Sequence, residues 1–160
     1  MAALERLEEA QLFAGLSEVD CRAVAALGRR RTATPGEVLF RVGDAADELY
    51  VIRRGRVELT FPLTVMGETK EIRFQSLEPG RTVAWSALVP PHRLTMSARA
   101  ATEVELLGFE RARLSELFQQ RPTVGYAVMA KLCHVVAGRF QEMAALWVRE
   151  VQRNVSQTYR

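Results

Sequence analysis

The chain has 160 residues, room for one hydrophobic core and at most one appendage, since domains most often run to about 100–150 residues. Its composition of 48% hydrophobic, 26% charged and 8% aromatic residues excludes a disordered, collagen-like or disulfide-scaffold protein, and no apolar run approaches the ~18 residues of a membrane span. The net charge of +3 divides as −3 over residues 1–50, +4 over 51–100 and +2 over 101–160, a central excess without the dense basic stripe of a nucleic-acid binder. Charged groups within residues 1–9 speak against a secretory leader. Cys21 and Cys133 are isolated thiols with no CxxC spacing. A reduced, cytoplasmic protein is therefore expected.

Apolar residues at three-to-four spacing predict two short N-terminal helices, Leu4–Phe13 and Asp20–Leu27, with Ser17, Glu18 and Asp20 as a helix start. From Thr34 the period changes. Six β-type segments follow, Glu37–Arg41, Glu48–Arg53, Arg56–Thr60, Lys70–Leu77, Thr95–Ala100 and Val104–Phe109, punctuated by Pro35-Gly36, Gly43-Asp44, Gly55, Gly67 and Pro79-Gly80. Strands this short and evenly spaced predict a barrel or roll, with Val38, Phe40, Leu49, Val51, Val57, Leu59, Ile72 and Phe74 as its core.

Helical periodicity returns in Leu114–Gln120, and Pro122 opens a run to about Arg153. In that run Met129, Leu132, Val136, Phe140, Met143, Trp147 and Val151 form one apolar stripe. A helix of ~30 residues is ~45 Å long, more than a small roll covers, so the distal stripe predicts a second copy of the chain as partner. The expected fold class is α+β: an antiparallel β-roll of the jelly-roll or double-stranded β-helix kind over 34–110, preceded by N-terminal helices (1–33) and followed by C-terminal helices (111–160), all in one domain.

The run Pro35-Gly36-Glu37-Val38-Leu39-Phe40, then Gly43-Asp44 through Leu49-Tyr50-Val51-Ile52, then Arg54-Gly55-Arg56-Val57-Glu58-Leu59 resembles the first strands of a cyclic-nucleotide-binding domain. Leu12-Phe13-Ala14-Gly15-Leu16-Ser17 and the long C-terminal helix extend the likeness to nearly the whole chain, which is similar to the sensor half of the catabolite activator (Crp/Fnr) family. The resemblance implies a phosphate-binding cassette at 80–100: a glycine turn, a short helix whose amides meet a cyclic phosphate, a Glu for the ribose and an Arg followed by Ser or Thr for the phosphate.

Setting Ala98-Arg99-Ala100 on the family's closing strand places Val83, Ala84, Trp85, Ser86 and Ala87 on the cassette helix and Leu94-Thr95-Met96 on the arginine segment. Trp85 then stands where the ribose Glu is implied, and Leu94 where the phosphate Arg is implied, with Arg93 one residue early. Arg93 and Arg81 are the candidate replacements for the missing cation, and Ser86 and Thr95 the candidate hydroxyl donors, unless they are local caps. Trp85 is either a stacking surface or a plug.

The implied ligand is cyclic AMP or cyclic GMP, with no resident cofactor, and signalling would pass through the long helix to a downstream protein. The rival reading is a ligand-free scaffold. The chain ends at Arg160 without the winged-helix reader that the resemblance implies for transcription factors, so no DNA contact and no membrane contact are expected. His92 and His134 are too few and too separated for a metal cage, and no nucleophile triad or Walker loop is present, so no enzyme is expected. Cys133-His134 lie side by side on a helix, ~100° apart, which suits core packing rather than haem ligation.

Overall fold

The computed structural model describes residues 7 and 10–158. The first expected helix, Leu4–Phe13, lies partly outside them; within them residue 7 is helical and residues 11–15 form turns. Helix α1 (Glu18–Ala25) starts where expected, because the Ser17 Oγ accepts from the Asp20 amide at 3.2 Å and two acidic side chains occupy the first turn. It buries Cys21 and Val24.

Eight strands then build two four-stranded antiparallel sheets. They are β1 (Arg29–Ala33), β2 (Val38–Phe40), β3 (Glu48–Arg54), β4 (Val57–Val65), β5 (Glu68–Leu77), β6 (Thr82–Val83), β7 (Ser97–Ala100) and β8 (Val104–Glu110). One sheet runs β1-β8-β3-β6 and the other β2-β7-β4-β5. A short 3₁₀ turn, Trp85–Leu88, separates β6 from β7. Helix α2 (Arg111–Gln120) leaves β8 without a linker, and α3 (Pro122–Thr158) runs for 37 residues, roughly 55 Å. The α+β roll with its long terminal helix is the expected architecture. The sheet begins earlier than expected, however, since β1 occupies residues 29–33 of the segment assigned to N-terminal helices. Among the described residues no helix is long and apolar enough to cross a membrane.

The core holds Leu49, Val51, Val57 and Leu59 as expected, while Phe40 and Phe74 are only half-buried. Two expected core residues are not in it. Val38 is 40% exposed because the β2–β7 register shifts between Val38 and Phe40, which turns Leu39 inward instead. Ile72 is 48% exposed because β7 covers β4 only over Val57–Thr60. Beyond that point the β4–β5 hairpin reaches past the roll, held by Phe61 against Phe74 at 5.8 Å.

Helix α3 carries two faces. Val124, Val128, Leu132 and Val135 are buried toward the roll. Of the expected stripe, Leu132 belongs to this buried row and Val136 is half-buried, whereas Phe140 is 72% and Trp147 69% exposed and Met129, Met143 and Val151 are also open. Tyr50 of β3 stacks on Phe40 with centroids 6.5 Å apart, donates to the Glu48 carboxylate at 2.5 Å and lies under the Arg31 guanidinium. Burial first, and then Glu48, pushes its hydroxyl up to about 12.

Gly36, Gly43 and Gly55 all take positive φ at the turns expected of them. They differ in surroundings: a Cβ on Gly55 would lie 2.1 Å from the Glu103 carbonyl oxygen, whereas one on Gly43 meets nothing within 4 Å. Gly43→Ala should therefore cost the left-handed strain alone, about 1 kcal/mol, and Gly55→Ala about 3 kcal/mol or more, read from urea unfolding midpoints. The Tyr50 hydroxyl supplies a second check. The component of an alkaline ultraviolet titration that Tyr50→Phe removes should titrate near pH 12 in the folded protein. Because the folded value is raised, wild type should lose stability relative to Tyr50→Phe as pH climbs from 10 toward 12.

Candidate functional site

Between β6 and β7 the chain turns sharply. Ala84 adopts the left-handed conformation (φ 58°, ψ 33°) and launches the 3₁₀ turn, in which the Ala87 amide returns to the Ala84 carbonyl at 3.0 Å. The loop after it is sewn to the β2–β3 connection: the Leu94 amide donates to Asp44, the Gly43 amide to Leu94 and the Ala46 amide to His92, at 2.8–2.9 Å.

These bonds bring Ala84, Trp85, Ser86 and Thr95 together with Phe40, Leu59, Leu94, Met96 and Arg139 around a void of about 10 Å³. That holds little more than one water, against ~300–1,000 Å³ for a small-molecule pocket. Trp85 is half-buried against the core and Ser86 is buried. Val83 and Ala87 lie wholly in the core, Val83 opposite Tyr50 in the β3–β6 pair.

Neither candidate arginine lies on the wall of the void. Arg93 is exposed and donates to the Gly43 carbonyl at 3.1 Å. Arg81, also exposed, lines a separate polar cleft of about 50 Å³ beside Gln75, His134, Arg139 and Glu142.

The cation that does reach the void is one the sequence reading passed over. Arg139 follows Val135 by four residues, so it continues the roll-facing row of α3, and its Nη2 donates to the Thr82 carbonyl at 2.9 Å. Among the described residues it has no ion-pair partner within 4 Å. Burial, reinforced by the charge on Arg81 and opposed by Glu142, pulls its guanidinium down to about 10. Its sequence signal was a charged residue in register with buried valines, which a search for apolar periodicity discards. Close by, the buried Thr82 hydroxyl has no partner, and Glu142 accepts from Gln75 Nε2 at 2.7 Å.

Phe40, Ala84 and Leu94 also line an open groove of about 300 Å³, walled in addition by Leu39, Tyr50, Asp44, Asp47 and Glu48. Its carboxylates are engaged: Asp44 accepts from the Arg41 amide at 3.0 Å, Asp47 pairs with Arg111 at 3.1 Å and Glu48 accepts from Tyr50. The groove is acidic and the void cationic. Among the described residues no group of three His, Cys, Asp or Glu could hold a metal ion, and Cys133 and His134 are both exposed on α3.

Comparison with known proteins accords with this geometry. A family model described as cyclic nucleotide-binding domain matches residues 30–121. The chain is 29% identical over 137 residues to Glutaminase 1 of Bradyrhizobium diazoefficiens, covering 83% of this chain and 20% of that protein. It is 26% identical over 145 residues to the cyclic AMP receptor protein of Thermus thermophilus, covering 91% of this chain and 66% of that one. The N-terminal domain of a transcriptional regulator from Streptomyces coelicolor A3(2) superposes with a TM-score of 0.71 at 27% identity, covering 86% of this chain and 94% of that one. The family match spans the whole roll and the 3₁₀ turn and ends at the start of the long helix, and the chain belongs to the cyclic nucleotide-binding domain family.

Proposed function

We propose that the protein is a cytoplasmic regulatory module that binds a small phosphorylated ligand, cyclic AMP or cyclic GMP foremost, and passes its occupancy on through α3 as a homodimer. The observation that carries this reading is the placement of the 3₁₀ turn. Trp85 and Ser86 line a void that Arg139 of the long helix also borders, so a ligand entering there touches roll and helix at once. The Thermus relative is a cyclic AMP receptor, which supports the choice of nucleotide.

The roles follow from position. The void wall of Trp85, Ser86 and Thr95 meets the ligand; Val83, Ala84 and Ala87 shape the turn; Arg81 and Arg93 stand at its flanks, where either reaches an anion only by leaving its present surroundings. No DNA contact is assigned. Arg153 pairs with Glu150 and Arg149 donates to the Ala145 carbonyl, as suits a solvated helix end.

One observation favours the rival scaffold reading: the void is nearly filled, with Trp85 packed on core residues. Titration calorimetry with cyclic mono- and dinucleotides separates the two. Binding supports the sensor. If wild type binds none, Trp85→Glu with Leu94→Arg becomes decisive, since each charge-assisted bond restored is worth ~1.5–3 kcal/mol, or two to four decades together. A double variant that also binds none leaves the scaffold as the function.

The dimer is tested separately. Phe140→Glu or Trp147→Glu should weaken association by about two decades or more, because a carboxylate is costly to bury in an apolar seam. Sedimentation of the unmutated protein as an 18.0 kDa species at micromolar concentration would remove the dimer.

A further inference from the structure

The folded state keeps a partly buried cation that is bonded to a neutral carbonyl and makes no ion pair within 4 Å among the described residues. Arg139 sits on the roll-facing row of α3, after Val128, Leu132 and Val135, a position that an apolar side chain would fill without desolvation. Its one protein hydrogen bond among the described residues goes to a neutral carbonyl, that of Thr82, which leaves the rest of its five donors for solvent or a ligand. Glu142, the nearest carboxylate to influence it, is taken by Gln75, and Arg81 adds a like charge to the same cleft. A half-buried guanidinium with no ion pair within 4 Å is partly desolvated, a cost that an anion would relieve. The wall it shares holds Ser86 and Thr95, two hydroxyls, and the Trp85 ring, a flat surface for a base or sugar.

We propose that Arg139, on the long helix, is the residue that holds the ligand's phosphate, so that the charge that captures the ligand lies on α3 and not on the roll. This rests on the reading that the void takes a phosphorylated ligand. A phosphodiester carries one negative charge and two free oxygens, which matches a single bidentate arginine. The void is too small for a nucleotide as it stands, so entry exchanges the Arg139–Thr82 bond for one to phosphate, and the helix receives the binding energy directly.

The chain has two tryptophans, and Trp147→Phe leaves Trp85 as a fluorescent reporter in the void. In that background cyclic AMP, cyclic GMP and adenosine, which lacks the phosphate, are titrated against the parent and against Arg139→Gln, Arg139→Lys, Arg93→Ala and Arg81→Ala. Arg139→Gln should weaken cyclic nucleotides about thirty-fold or more and leave adenosine unchanged, abolishing the preference for the phosphorylated form. Arg139→Lys should keep the charge but lose the fork, falling about ten-fold, and it carries the test should Arg139→Gln fail to fold. A cyclic nucleotide preference that survives both Arg139 substitutions and disappears in Arg93→Ala or Arg81→Ala overturns this proposal and leaves the sensor reading standing. An Arg139 variant that weakens adenosine equally shows a structural role and also overturns it. A parent that binds neither cyclic nucleotide overturns this proposal and hands the sensor reading to the Trp85→Glu with Leu94→Arg test.

Discussion

Strand β8 is the constraint on which the rest of the molecule depends. It lies between β1 and β3, and Val104, Leu106, Leu107 and Phe109 are buried on both of its faces. Phe109 meets Phe13 edge-on at 5.2 Å, which ties the N-terminal turns to the sheet, and Glu110 passes straight into α2. With no slack after β8, the direction of that strand fixes where α2 ends and where α3 can lie. The Arg121–Asp20 pair at 2.8 Å closes the circuit by joining the α2–α3 corner back to α1; the Ser17 hydroxyl, donating to the Asp20 carboxylate at 2.6 Å, and Arg121 after it hold that carboxyl below its ordinary range. The position of Arg139 over β6 is thus set by contacts far from it in sequence.

Much of this was legible in the sequence, and the failures have physical causes. Turns are written in single residues, so glycines with positive φ and the Ser17 cap could be placed one by one. Strand β1 was missed because Arg29-Arg30-Arg31 reads as a charged linker. In the fold those side chains meet partners on other strands of the same sheet, Arg29 on Glu110 and Arg30 on Glu105 of β8 and Arg31 on Tyr50 of β3, and such pairing is invisible before the register is known. Ile72 was misplaced because alternation shows which residues share a face but not where the covering strand stops. The candidate site was half legible. Ala84, Trp85, Ser86 and Thr95 came together as the cassette alignment implied, yet the cation above them came from 44 residues beyond Thr95, on an element that no local pattern connects to the turn.

The chemistry of the site is organised around three shared apolar residues. Phe40, Ala84 and Leu94 line both the acidic groove and the arginine-bearing void. With Asp44, Asp47 and Glu48 at the groove and Arg139 at the void, the local charge disfavours an anion in the first relative to the second. The same economy of charge appears on the neighbouring sheet. There Glu58 is held below its ordinary range by Arg99 first and Arg73 after it, so one carboxylate ties β4 to strands on both sides.

Gly138 immediately precedes Arg139 in the middle of a helix, and no neighbour lies within 4 Å of the Cβ it lacks. Glycine there costs about 1 kcal/mol of helix propensity against alanine, with no steric demand to explain it. This glycine falls where the helix passes from roll-covered to open, between the buried Val135 and the exposed Phe140. A residue with glycine's intrinsic helix cost thus marks the boundary between the covered half of the helix and the segment that carries Trp147 and Val151.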